Sequence, residues 1–154
     1  MGTHSQQRCT EEHQQMEIPD RLLRYSTSAA IDSLASWFGF EFRPQMQDPE
    51  VEWADADRID EFLAAYEQRE LSDDERFALM ELLLNSFESA DVPLETQPQW
   101  SRTLALLEQH IATHICSVLT FATPPDDSKD GWNIGPDLWK IAGRHATAFG
   151  YTLA

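Results

Sequence analysis

Apolar residues recur at helical spacing along most of this chain. From Ser28 to Phe38, Ile31, Leu34, Trp37 and Phe38 fall on one face of a helix, and Gly39 supplies a stop. Phe38, Phe40 and Phe42 then alternate with Gly39 and Glu41. The run predicts an aromatic loop clamped on the core, with a short extended segment at 40–43 as the alternative, and Pro44 ends it. Asp48-Pro49 offers an N-cap and a first-turn proline ahead of a stripe of Ile59, Phe62, Leu63 and Tyr66. Ser72-x-x-Glu75 reads as a capping box. Behind it Phe77, Met80, Leu84 and Phe87, widened by Leu79, Leu83 and Ala90, predict a helix touched on more than one side.

The longest periodic run extends from Trp100 to Phe121, with Trp100, Leu104, Leu107, Ile111, Ile115 and Val118 in one sector. A proline-rich loop follows. Gly135-Pro136 restarts the chain, and Leu138, Ile141, Ala142 and Phe149 mark a last amphipathic helix. Five helices with short loops predict an all-α fold, an irregular bundle forming one domain over 18–154. Residues 1–17 are polar, with Met16 as their one sizeable interior apolar side chain, and are expected to be a disordered leader.

Charge changes this picture from a generic helical domain to an asymmetric one. The 154 residues hold 27 acids and 11 bases, a formal net charge of -16. The segment 48–95 alone holds 16 acids and three bases, net -13, against net -3 for the other 106 residues. Concentrated like charge opposes folding and repels nucleic acid and anionic lipid, so direct nucleic-acid or membrane binding is not expected. Such a region serves either as a solvated face or as a docking face for a basic partner, which it would attract at long range. In the second reading Glu52, Asp55, Asp57, Asp60 and Glu61 supply the charge. Trp53, which fits no apolar stripe, is the expected anchor, and Tyr66 continues its stripe and belongs to the core.

Candidate chemistry is sparse. His110 and His114 are four apart, the spacing at which two imidazoles on one helix face share a zinc, and His145 lies along the apolar face of the last helix. The three define a metal-enzyme or metal-sensor alternative. The competing reading makes His114 a core residue held by a backbone carbonyl. Cys116 falls opposite the apolar sector of its helix and does not complete the set. Asp126, Ser128, Asp130 and Gly131, with Asp137 at position twelve, match the opening of a calcium loop. Position twelve is Asp rather than a bidentate Glu, position eight is Asn133, and Pro124-Pro125 interrupts the incoming helix, so a polar loop is the better account. No nucleophile stands with a base and no phosphate-cradling glycine run occurs, which points away from catalysis.

Two cysteines, Cys9 and Cys116, suit a reducing cytoplasm, and no signal-peptide or membrane-spanning run is visible. In size, acidity and tryptophan content the chain is similar to bacterial immunity proteins that neutralise partner toxins. That likeness rests on no specific motif. It implies a cytoplasmic binding or inhibitor protein, immunity-like or DNA-mimic-like, whose 48–75 region docks a basic protein such as a nuclease or toxin. A homodimeric scaffold without catalysis is the remaining alternative.

Overall fold

A computed structural model describes residues 17–125 and 131–153. The leader therefore lies outside the described residues, apart from Glu17. Among them the fold is all-α, with seven α-helices and no strand. The helices are α1 (Ser28–Phe38), α2 (Pro49–Glu52), α3 (Ile59–Gln68), α4 (Asp73–Glu88), α5 (Pro98–Gln109), α6 (Ile111–Phe121) and α7 (Gly135–Phe149). None is long and apolar enough to cross a membrane. The chain divides into two compact units. One is Arg24–His114; the other joins residues 17–23 to those from Ile115 onward.

Seven helices replace the expected five because two predicted helices are broken. The segment after Asp48 forms the four-residue α2, then a 3-10 turn at Ala56–Arg58, and only then α3. Pro49 occupies the first turn as predicted, but the Asp48 side chain makes no cap hydrogen bond. The run from Trp100 to Phe121 breaks at His110, whose φ of -119° and ψ of 41° leave the helical region. No glycine or proline marks that break. What changes across it is burial: α5 hides a narrow stripe of Trp100, Thr103 and Leu107, whereas α6 is buried continuously from His114 to Leu119.

In the unit Arg24–His114, α4 is the centre and packs against α1, α2 and α3. From Phe77 to Phe87 every residue except Glu81 and Asn85 is buried, which confirms the wide apolar face. Each large aliphatic side chain so hidden contributes about 1.5–3 kcal/mol relative to exposure. The capping box is present in both directions: Glu75 N donates to Ser72 Oγ at 3.1 Å, and Ser72 N donates to Glu75 Oε1 at 3.0 Å. At the start of α1, Ala30 N donates to Thr27 Oγ1 at 3.1 Å. At its end Gly39 takes a left-handed φ of 72°, where a side chain would be strained.

Residues 40–43 are an irregular loop, so the extended alternative falls. Phe40 stacks on Trp53 with centroids 4.6 Å apart, and Phe42 meets the same indole edge-on at 5.2 Å. Phe38 packs on Phe62 at 4.9 Å. Arg58 covers this cluster, 5.0 Å from the Phe40 centroid and 5.5 Å from that of Phe62, while its Nη2 donates to the Phe38 carbonyl at 2.8 Å. The end of α1, the loop and the start of α3 are thereby tied by one guanidinium.

In the other unit, Arg21 donates to the carbonyls of Phe149 and Gly150 at 2.7 and 2.8 Å. The buried face of α7 consists of Gly135, Leu138, Ile141 and Ala142. Tyr151 Oη reaches back to the Ala142 carbonyl. Thr123 N donates to Gly135 O at 3.1 Å, and a Cβ built on Gly131 would stand 2.1 Å from the Thr123 methyl. Gly131 is thus required by close approach to Thr123.

Candidate functional site

The predicted docking acids occupy the end of α2 (Glu52), the turn between α2 and α3 (Asp55 and Asp57) and the first turn of α3 (Asp60 and Glu61). Exposure is retained by Glu52, Asp57, Asp60 and Glu61, while Asp55 is half-buried. Asp55 is a structural residue. Its side chain accepts from Asp57 N at 2.9 Å, and its own N–H donates to the buried Ser86 hydroxyl at 3.0 Å. That hydroxyl also donates to Leu82 O, so α4 holds the turn in place.

The acids differ in how far they are already neutralised. Glu52 pairs with Arg43 at 2.6 Å. Glu61 takes a two-point contact from Arg58, 2.8 Å at each oxygen, and the guanidinium holds its carboxyl below the ordinary carboxylate range. Glu67 pairs with Arg102, Asp73 with Arg76 at 3.1 Å, and Asp74 with Arg24 at 3.1 Å. Among the described residues Asp60 accepts only a neutral Gln99 amide, at 3.0 Å, and Asp57 has no ion pair. Asp57 and Asp60 are therefore exposed, uncompensated charge at the head of α3.

Trp53 is not the exposed anchor expected. It is 8% exposed, stacked on Phe40, and its Nε1 donates to Glu41 O at 3.2 Å. Its stripe partners come from the loop before α2 rather than from its own helix, so periodicity could not reveal them. Tyr66 is core, as predicted.

The histidines do not assemble a metal centre. His114 is fully buried, and its partner is a side chain rather than a backbone carbonyl: Tyr66 Oη lies 2.7 Å from Nε2. Nδ1 is buried and, among the described residues, has no hydrogen-bond partner. Protonation would place an N–H there with no acceptor. Burial, reinforced by the positive fields of His110, Arg76 and Arg24, holds the imidazole neutral, its pKa pushed down to about 3. Burial likewise raises the Tyr66 hydroxyl well above its ordinary value. His110 sits at the helix break with its pKa lowered by partial burial and then by Arg76. His145 is half-buried on α7, 6.3 Å from the Phe149 ring. Among the described residues no three His, Cys, Asp or Glu side chains gather in a way that could hold a metal ion. Cys116 is buried on α6 rather than opposite its apolar side, because α6 is covered nearly all round. Of the calcium-like loop, Asp126, Ser128 and Asp130 lie outside the described residues. Gly131 is fixed by Thr123, and Asp137 lies in the first turn of α7.

A cleft of about 440 Å³ opens between the start of α1 and the segment 42–50. Its aromatic and acidic lining includes Tyr25 and Asp32, which hydrophobic periodicity did not single out. The one signal for Tyr25 was an aromatic residue lying outside every apolar stripe; Phe42 belongs to the aromatic run at 38–42, and Asp32 carried no signal. Comparison with protein-family models, curated proteins and solved structures finds no match to this chain.

Proposed function

We propose that this chain is an acidic binding protein, of an inhibitor kind, that docks a basic protein partner through the region 48–75 and acts in the cytoplasm. The observation that carries the reading is the charge of the unit Arg24–His114. It holds 19 acids against six arginines, and Asp57 and Asp60 stand exposed and uncompensated on a turn that α4 anchors. Retaining like charge at this density costs stability through self-repulsion, and a partner of opposite sign gives that cost a function. With Trp53 buried, the contact is led by carboxylates. It therefore depends on long-range attraction more than on an aromatic plug.

The test is affinity capture from the native host at about 50 mM and about 500 mM salt, where the screening length falls from more than 10 Å to a few ångströms. A basic protein should be retained only at low salt. With that protein in hand, Asp57→Lys combined with Asp60→Lys should slow association about tenfold or more and change dissociation less. Equal binding at both salts, undiminished in the double variant, would refute the docking role.

A further inference from the structure

We infer that the cleft beside α1 is a seat for an arginine side chain presented by the basic partner. This rests on the docking reading above and adds a specific pocket to it. The cleft's volume of about 440 Å³ lies within the range of small-ligand sites. Its lining includes two of the exposed large hydrophobic residues, Tyr25 at 66% and Phe42 at 54% exposure. Phe42 rests on Trp53 by one edge, yet both rings stay largely exposed and line one cleft.

Among the described residues the acidic groups of the lining are Asp32, Asp48 and Glu50, and no lysine or arginine lines the cleft. Glu50 is held in place, since Ser26 Oγ donates to its Oε2 at 2.8 Å. Buried Ile31 adds an apolar surface. Aromatic faces with carboxylates around an apolar wall suit a planar, weakly hydrated cation. A guanidinium stacks on rings through its face and donates to carboxylates through its edge, whereas an ammonium is more strongly hydrated and has no planar face. Charge complementarity thus selects arginine over an apolar or acidic occupant.

The site is separate from Asp57 and Asp60, so it can be tested alone. The full chain is titrated with acetyl-Gly-Arg-Gly-amide and followed by NMR, with the citrulline peptide, neutral and nearly the same shape, as control. The arginine peptide should shift the signals of Tyr25, Ile31 and Phe42. The lysine peptide should bind several-fold more weakly and the citrulline peptide not measurably. Phe42→Ala and Asp48→Asn, both at exposed positions, should each weaken binding about 3–10-fold; Asp48→Asn should leave the remaining spectrum in place, and Phe42→Ala should move in addition only the signals of the Trp53 cluster that its ring touches. The inference is overturned if citrulline binds as well as arginine, if the shifts centre on Asp57 and Asp60, or if neither variant matters. A salt-sensitive partner together with no peptide shift at the cleft would sink the pocket and leave the docking role standing. Cleft binding together with no basic partner would do the reverse.

Discussion

Acidification from pH 7 to pH 5 should cost this protein about 2 kcal/mol of stability through His114 alone. The imidazole is fully buried, with a folded pKa of about 3 against an ordinary 6.5. Between those values the unfolded chain binds a proton that the folded chain refuses. The contribution is therefore intact above pH 6.5 and lost as the pH falls, at up to about 1.4 kcal/mol per unit. Integrated from pH 7 to pH 5 this is about 2 kcal/mol, or roughly 4–8 °C in Tm for a chain of this length. His110, also held low, acts in the same direction. Glu61 and Glu75 are held below their ordinary value of 4.5 by hydrogen bonds, from Arg58 and chiefly from the Ser72 backbone respectively. Their contributions are lost only as the pH falls below the window. Relief of acidic self-repulsion has the opposite sign and also begins with carboxylate protonation at lower pH. Urea unfolding at pH 7, 6 and 5, repeated with His114→Gln, isolates the effect. Stability that is flat to within about 0.5 kcal/mol, or a slope that survives His114→Gln, would refute the assignment of a neutral buried imidazole.

Trp53→Ala should destabilise the fold by about 3–5 kcal/mol in chemical denaturation, because it removes the indole on which Phe40 and Phe42 rest. A folding cost under about 1 kcal/mol would return Trp53 to the surface. Ser72→Ala should cost about 1 kcal/mol by removing the hydroxyl that accepts from Glu75 N, measured as a lowered urea midpoint with unchanged slope. Gly131→Ala should cost about 1–3 kcal/mol, and Thr123→Ala in the same chain should recover part of it, since the two nearest clashes are with the Thr123 methyl and hydroxyl. Strict additivity of the two changes would contradict that contact.

The elements that were legible in the sequence are those decided within a few residues. The Ser72–Glu75 box, the Gly39 stop and the proline at the start of α7 are local geometry, and the α4 face is simple periodicity. What escaped was decided at longer range. Trp53 fits no stripe because its stacking partner lies thirteen positions earlier in a loop. Cys116 was misplaced on a helical wheel that assumed one apolar side, whereas α6 is enclosed. The break at His110 carries no local breaker. The acids of 48–95 could be counted from sequence. The arginines that neutralise Glu52, Glu67 and Asp74 come from outside that segment, so the residual charge at Asp57 and Asp60 could not be read.

The discontinuity of one compact unit sets an order of events during synthesis. Residues 24–114 are contiguous, so all the partners within that unit have been synthesised once His114 is added. Residues 17–23 are translated before them, yet their partners come after, and Arg21 must wait for the carbonyls of Phe149 and Gly150. At about 5–20 residues per second, the interval between residues 114 and 153 is roughly 2–8 s. For those seconds the nascent chain holds every residue of the acidic unit but not every partner of residues 17–23. On the docking role proposed above, the region that a basic partner contacts is therefore synthesised whole before the partners of Arg21 exist.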